Sequence, residues 1–443
     1  MSGKDPDVRL TVIGAGYLGL THAVCMAEFG HDVLVVDTDA DKVAQAASGT
    51  VPFFEPGLEP LLRKNLDAGR LQFTTSHVEV ANFGDIHFLC VGTPQAQDGS
   101  ADLSQVYAAA DLLAPHLTGP CLVVGKSTVP VGTGRALAAR IAQQAPAGTS
   151  AEVSWNPEFL REGSAVQDSL LPNRIVLGVS SQRSADLLRR VYARPLAQGV
   201  PVLVMDMETA ELVKVSANAF LATRLSFINV LAEVCEATGA DVVKLAGALA
   251  CDERIGGRFL APGLGYGGGC LPKDVRAFGA TAGRLGIGAL KTLLAEVDGI
   301  NLRCRSRAVD LAREVVGGSL DGRRAGVLGV AFKPDSDDVR DSASLDVCCR
   351  LAAEGAAVTV HDPVATGNAA RLHPELHYAE SATEAAVGAD VVLHLTEWHE
   401  YRLIDPDTLG AVVARRNIID ARCVLDEQRW RSAGWSFRAL GRR

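Results

Sequence analysis

The sequence contains no Cys-x-x-Cys pair and no His-Glu-x-x-His. A zinc site built from closely spaced ligands is therefore poorly supported, and no metal is expected. Basic residues are in deficit: 43 Lys and Arg stand against 52 Asp and Glu, a net charge of −9. That balance argues against a nucleic-acid partner, and any phosphate has to be met by a local site. No apolar run reads as long enough to cross a bilayer, so no membrane association is expected. Met1-Ser2-Gly3-Lys4-Asp5-Pro6-Asp7 lacks the apolar segment of a secretion signal. The ten cysteines are scattered singly, apart from Cys348-Cys349. They read as reduced thiols of a cytoplasmic protein, most of them inert core residues.

What is present is a chain of 443 residues, 48% apolar and 21% charged, enough for two or three domains with substantial cores. Residues 8–13 predict a short buried strand that runs straight into Gly14-Ala15-Gly16-Tyr17-Leu18-Gly19. A helix is expected over residues 20–29, closed by Gly30, and a second strand over 32–36 ends at Asp37. Strand, Gly-x-Gly-x-x-Gly turn, helix and a following acid are the parts of a dinucleotide-binding unit. Gly14, Gly16 and Gly19 would make the tight turn, admit the pyrophosphate and let helix pack on strand. Phosphate would then sit at the helix N-terminus. Asp37 would accept from the adenosine ribose hydroxyls and repel a 2′-phosphate, which favours NAD over NADP. Lys42 stands close by, flanked by Asp39 and Asp41. Further strands end in loops carrying Thr93, Ser127 and Thr128, at the carboxyl edge where such sheets bind ligands. Thr93 reads equally well as an ordinary turn hydroxyl.

Three other stretches carry chemistry. The first, Gly263-Leu264-Gly265-Tyr266-Gly267-Gly268-Gly269-Cys270-Leu271-Pro272-Lys273-Asp274, leads a glycine run into one cysteine. Such a loop can present sulfur to a substrate; Lys273 would favour the thiolate, and Asp274 can move a proton or hold a water. The second, Asn156-Pro157-Glu158-Phe159-Leu160-Arg161-Glu162-Gly163, places two carboxylates four apart, as on one face of a short helix. A solvated helix start explains it equally well. The third is a long helix from Glu208 to about Thr238, in which Lys214 and Asn218 share a face and could serve an oxyanion. A solvated Lys–Asn face is the commoner meaning of that pair. A second long helix is expected over residues 289–316. The α/β pattern of the opening then returns, as strands over 324–332, 357–360, 389–395 and 417–420 predict a second sheet, without a Gly-x-Gly-x-x-Gly turn.

Taken in order, these motifs resemble the nucleotide-sugar dehydrogenases, the UDP-glucose 6-dehydrogenase family. The cysteine stretch is similar to the family's GxGYGGSCxPKD, with Gly269 where serine is usual. KSTVPVGT, NPEFLREG, Lys214-Val215-Ser216-Ala217-Asn218, the Asp252-to-Gly256 turn and GVAFKPDSDDVRDS match further family segments. The resemblance implies two Rossmann-like doubly wound domains joined by a central all-helical dimerisation domain. The expected boundaries are 1–206 for the NAD-binding domain, 207–312 for the helical domain with the cysteine loop, and 313–443 for the sugar-nucleotide domain. It also implies NAD, a nucleotide-sugar substrate and a homodimer or higher homo-oligomer. The implied catalytic residues are Cys270, Lys214, Asn218, Asp274, Glu158 and Thr128. Gly14, Gly16, Tyr17, Leu18, Gly19, Asp37, Lys42, Thr93, Ser127, Thr128, Glu162, Lys273 and Arg340 would meet the cofactor. Phe159, Leu160, Glu162, Lys214, Asn218, Arg254, Phe259, Tyr266, Gly267, Phe332, Lys333 and Arg422 would meet the substrate, Arg254 from the neighbouring subunit.

The implied reaction is a four-electron oxidation of a C6 hydroxyl to an acid through a cysteine thiohemiacetal and thioester, most readily UDP-glucose to UDP-glucuronate. The substrate could instead be dTDP-glucose or GDP-mannose, since no motif reads the base. Two rival classes are a simple hydroxy-acid dehydrogenase and an inactive sugar-nucleotide binder. The first has no use for Cys270 or for a second α/β domain, and the intact Cys270, Lys214, Asn218 and Asp274 argue against the second.

Overall fold

The computed structural model describes residues 8–442. The chain divides into two compact units, Met1–Ala217 and Asn218–Arg443, with the division falling inside one long helix, Met207–Thr238.

The first unit is built on eight strands: β1 Arg9–Ile13, β2 Asp32–Val36, β3 Leu71–Thr74, β4 Ile86–Leu89, β5 Cys121–Gly125, β6 Ala151–Trp155, β7 Ile175–Gly178 and β8 Val202–Met205. Their order in the sheet is β3-β2-β1-β4-β5-β6-β7-β8, and every pairing is parallel except β6 with β7. The 3-2-1-4-5-6 run is the dinucleotide-fold order. Because both faces carry helices, alternate residues of one strand enter opposite cores. Leu10 and Val12 join Val33, Val35 and Phe88 on one face; Ile13 joins Leu34, Val36 and Val123 on the other.

After the remainder of Met207–Thr238, the second unit has the helices Val242–Ala250, Leu271–Arg284 and Gly288–Val315. It continues into a six-stranded sheet of β9 Arg324–Leu328, β10 Ala357–His361, β11 His377–Tyr378, β12 Val391–His394, β13 Asn417–Asp420 and β14 Ser436–Ala439. The order is β11-β10-β9-β12-β13-β14, and all pairings are parallel. The expected fold is therefore present: two doubly wound sheets, parallel but for the β6–β7 pair, with helical chain between them in sequence.

Three expectations need correction. The first helix is Tyr17–Glu28, not residues 20–29, because Gly16 takes the cap position and the third fingerprint glycine lies inside the helix. Asn156–Arg161 is not helical: Glu158 Oε2 accepts from the Leu160 backbone N–H at 2.8 Å, a local turn that competes with helix formation. The helix Met207–Thr238, 32 residues long, does reach the length and apolar content of a membrane span. Of its most apolar 18-residue window 44% is buried inside the protein, and its polar residues Glu211, Lys214 and Asn218 are buried too.

Candidate active site

In the first unit the turn after β1 is shaped for a close ligand. Gly14 has φ +103, and a Cβ there would lie 3.0 Å from the Cys90 carbonyl oxygen. A Cβ on Gly19 would stand 1.9 Å from the Gly14 carbonyl oxygen, so only glycine lets the helix pack this tightly. Gly16 faces open space, and the helix Tyr17–Glu28 begins there with no side-chain cap. Its first N–H groups are left for an anion. Asp37 is aimed by the backbone: Oδ2 accepts from Ala15 N–H at 2.7 Å and Oδ1 from Asp39 N–H at 2.9 Å. A carboxylate offers about four acceptor sites, so the remaining ones can serve ribose hydroxyls. These features fit an NAD adenosine diphosphate. Lys42 is exposed and pairs with Asp39 at 3.4 Å.

Other cofactor candidates are held by their own chain. Thr93 Oγ1 donates to the Thr128 carbonyl at 2.9 Å and Ser127 Oγ donates to the Val91 carbonyl at 2.6 Å. These bonds tie the loops after β4 and β5 together. The Tyr17 hydroxyl donates to Glu55, whose carboxylate also accepts from Gly163 N–H at 2.6 Å and Ala165 N–H at 2.7 Å. Tyr17 and Leu18 stand on the first turn of the helix, so what they can offer phosphate is main chain. Glu55 thus fastens the segment carrying Glu158 and Glu162 to the fingerprint helix. No sequence motif points to it, because its partners are 108 and 110 residues away.

Beside β6, Glu158 Oε1 pairs with Lys214 Nζ at 2.8 Å, with side chains only 9% and 6% exposed. A desolvated carboxylate and ammonium joined in this way form one proton-handling unit. The Phe159 ring lies 3.9 Å from Arg174 Cζ and 5.7 Å from Lys214 Nζ, so two cations border it. Lys126 is not singled out by sequence reasoning, although it opens KSTVPVGT. It is buried, its Nζ donates to Asn156 Oδ1 at 3.0 Å, and burial pulls its ammonium down to about 8.

In the second unit Cys270 is exposed and sits at the N-cap of the helix Leu271–Arg284, where the helix field favours a thiolate. One turn on, the buried Asp274 binds two partners: Asn218 Nδ2 donates to Oδ2 at 2.7 Å and Lys273 Nζ to Oδ1 at 2.7 Å. The three expected residues therefore do come together. Asn301 holds Tyr266 by its main chain, accepting from its N–H at 2.7 Å and donating to its carbonyl at 3.0 Å. Phe332 packs against Gly268, where a Cβ would be 2.8 Å from the ring, and Lys333 Nζ lies 5.5 Å from the same ring. Arg340 pairs with Asp338 at 2.7 Å. Gly269 leaves room for Arg340, since a Cβ there would fall 2.5 Å from Cζ. Arg422 is not a solvated cation: its Nη1 donates to the Gly265 carbonyl at 3.0 Å and its Nε to the Leu395 carbonyl at 2.6 Å. Arg254 is exposed and paired only with Asp252 among the described contacts. Phe259 has φ +58, a conformation an aromatic residue adopts only under constraint.

Comparison with known proteins gives these features a common origin. The chain matches the UDP-glucose/GDP-mannose dehydrogenase family over its NAD binding domain (residues 8–196), central domain (208–303) and UDP binding domain (326–427). It is 41% identical to the UDP-glucose 6-dehydrogenase of Rhizobium meliloti (strain 1021), covering 98% of this chain and 100% of the relative. It is 39% identical to a UDP-glucose 6-dehydrogenase of Bacillus subtilis (strain 168), covering 98% of each. A solved UDP-glucose dehydrogenase from the hyperthermophilic archaeon Pyrobaculum islandicum superposes with a TM-score of 0.93 at 37% identity, over 100% of both chains. Matched over all three domains and along its whole length, the chain belongs to the UDP-glucose/GDP-mannose dehydrogenase family and is an NAD-dependent nucleotide-sugar dehydrogenase.

Proposed function

We propose that the protein oxidises the C6 hydroxyl of UDP-glucose to the carboxylate of UDP-glucuronate, consuming two NAD and one water per molecule. The observation that carries the chemistry is the exposed thiol of Cys270 at a helix N-terminus, one turn from the Asn218–Asp274–Lys273 network. The choice of UDP-glucose rests on relatives of that name that match the chain from end to end.

Bound NAD supplies the hydride acceptor for each oxidation. Gly14, Gly16, Gly19 and Asp37 hold its adenosine half. The C6 hydroxyl gives up its proton to the pair Glu158–Lys214, directly or through a water held by Thr128. Cys270 Sγ adds to the resulting aldehyde carbon, its proton passing to the new oxygen, which gives a thiohemiacetal. Loss of the second hydride and the hydroxyl proton leaves a thioester. Water, deprotonated with help from Asp274, then attacks the carbonyl, and the C–S bond breaks to return the thiolate. Lys214 and Asn218 donate to the oxyanions formed on the way. Lys333, Phe332, Phe259, Arg422 and the main chain of Leu160 and Gly267 hold the sugar nucleotide.

The domain boundaries that go with this reading are 1–206, 207–312 and 313–443. We also read the protein as a cytoplasmic homodimer. On the helix Met207–Thr238 the exposed Phe220, Phe227 and Val234 recur every seventh residue and form one apolar stripe for a second copy.

Complete conversion of a limiting, weighed amount of UDP-glucose tests the chemistry. The expected result is two NADH per substrate and an acid by mass analysis. One NADH with an aldehyde product overturns the covalent route. A parallel panel with dTDP-glucose and GDP-mannose tests the nucleotide, and faster turnover of either overturns UDP-glucose.

A further inference from the structure

We infer that Asp341 is a positioning residue that sets the cysteine loop through a clamp of two arginines; the inference rests on Cys270 being the reactive thiol. Asp341 has φ +45, a left-handed backbone that glycine adopts freely and aspartate at a cost. A residue needed only for the turn would be better as glycine, so the aspartate is retained for its carboxylate. Oδ2 accepts from Arg276 Nη1 at 2.9 Å and Oδ1 from Arg305 Nη2 at 2.8 Å.

Those arginines come from the two helices that frame the loop. Arg276 is in Leu271–Arg284, which starts one residue after Cys270, and it is braced by Asp298 at 3.0 and 3.2 Å. Arg305 is in Gly288–Val315 and only 4% exposed, so its charge depends on carboxylates at hand. Asp346, at 3.5 Å, is its second and longer partner.

The backbone that Asp341 fixes lies flat against the glycine run. The Arg340 carbonyl accepts from Gly268 N–H at 3.0 Å. A Cβ on Gly267 would stand 2.4 Å from the Asp341 carbonyl oxygen. A shift of residues 340–341 is thus passed to Gly267–Gly269 and on to the Cys270 sulfur. Holding a nucleophile to within a fraction of an ångström is what such a support provides, and a displacement of about 1 Å can cost roughly a hundredfold in rate.

Asp341→Gly keeps the turn, even easing it, and removes the clamp. We expect a folded protein with kcat lowered roughly ten- to a hundredfold and KM for UDP-glucose within about threefold. The rate at which iodoacetamide alkylates Cys270, followed by peptide mass analysis, should change with it. Wild-type kcat and alkylation rate in Asp341→Gly overturn the inference. Should that variant fail to fold by circular dichroism, Asp341→Asn decides by the same readouts: it keeps shape and left-handed tolerance but lacks the charge, and full kcat overturns the inference. Failure of the underlying reading looks different. It appears as acid production by Cys270→Ala, whatever the Asp341 variants do.

Discussion

The first six strands of the larger sheet and the six of the smaller share an order and even a local motif, yet only the larger sheet carries the Gly-x-Gly-x-x-Gly turn. After β1, Gly14 (φ +103) donates its N–H to the Val36 carbonyl at 2.8 Å; after β9, Gly329 (φ +96) donates to the His361 carbonyl at 2.8 Å. Each second strand is followed at once by an aspartate, Asp37 or Asp362, that turns back to the loop after the first strand. Asp37 accepts from two backbone N–H groups and has acceptor capacity to spare. Asp362 accepts from Val330, Ala331, Val364 and Ala365 N–H and from Trp398 Nε1, and is 3% exposed. The same residue at the same place keeps acceptor capacity for the proposed ribose contact in one sheet and is a structural staple in the other. What differs next is the connection. The first helix starts at Tyr17, three residues after Gly14, whereas Ala343–Ala353 starts fourteen residues after Gly329. The extra loop holds Lys333, Arg340 and Asp341, so this sheet presents cationic side chains where the other presents helix N–H groups.

Replacing Cys270, which has no counterpart in the first unit, should have the largest effect. Cys270→Ala is expected to lower acid formation about a thousandfold or more while NAD affinity stays near wild type. Coupled NADH assays and calorimetric titration check the two halves, and rapid acid formation defeats the covalent role. Next, Asp362→Ala should destabilise the protein by about 3 kcal/mol, because several buried donors lose their acceptor at once. Its cofactor choice should not change; denaturant titration and NAD/NADP kinetics together measure this. Asp37→Ala should do the reverse. It should raise the ratio of NADP to NAD efficiency about tenfold, at little cost in stability. If the two aspartate variants behaved alike, the distinction between ligand group and staple would fall. The Asp341 variants act on the longer loop of the second sheet, so they should leave NAD/NADP choice unchanged.

Much of this is legible in the chain. The strands, the fingerprint and the second α/β unit follow from short apolar runs punctuated by glycine, which depend on near neighbours in sequence. The pairing of Asn218 with Asp274 agrees with the motifs but spans 56 residues, so sequence can nominate both and join neither. The segment around Glu158 and Glu162 misleads because two glutamates at helical spacing look alike whether the backbone is helical or turned. The helix Met207–Thr238 is more apolar than its charges suggest, because Glu211 and Lys214 are buried and satisfied by partners far away in sequence.

By itself the sequence determined the two-sheet class, the NAD fingerprint, the cysteine on its glycine loop and the family. Those are local patterns, set by backbone freedom and side-chain chemistry within a few residues. Tertiary structure alone decided that Glu55 fastens the Glu158 segment, that Asp362 is consumed where Asp37 is open, and that Arg276 and Arg305 converge on Asp341. Each depends on distant donors and acceptors meeting in a desolvated place, and the value of a charge is set by what surrounds it there.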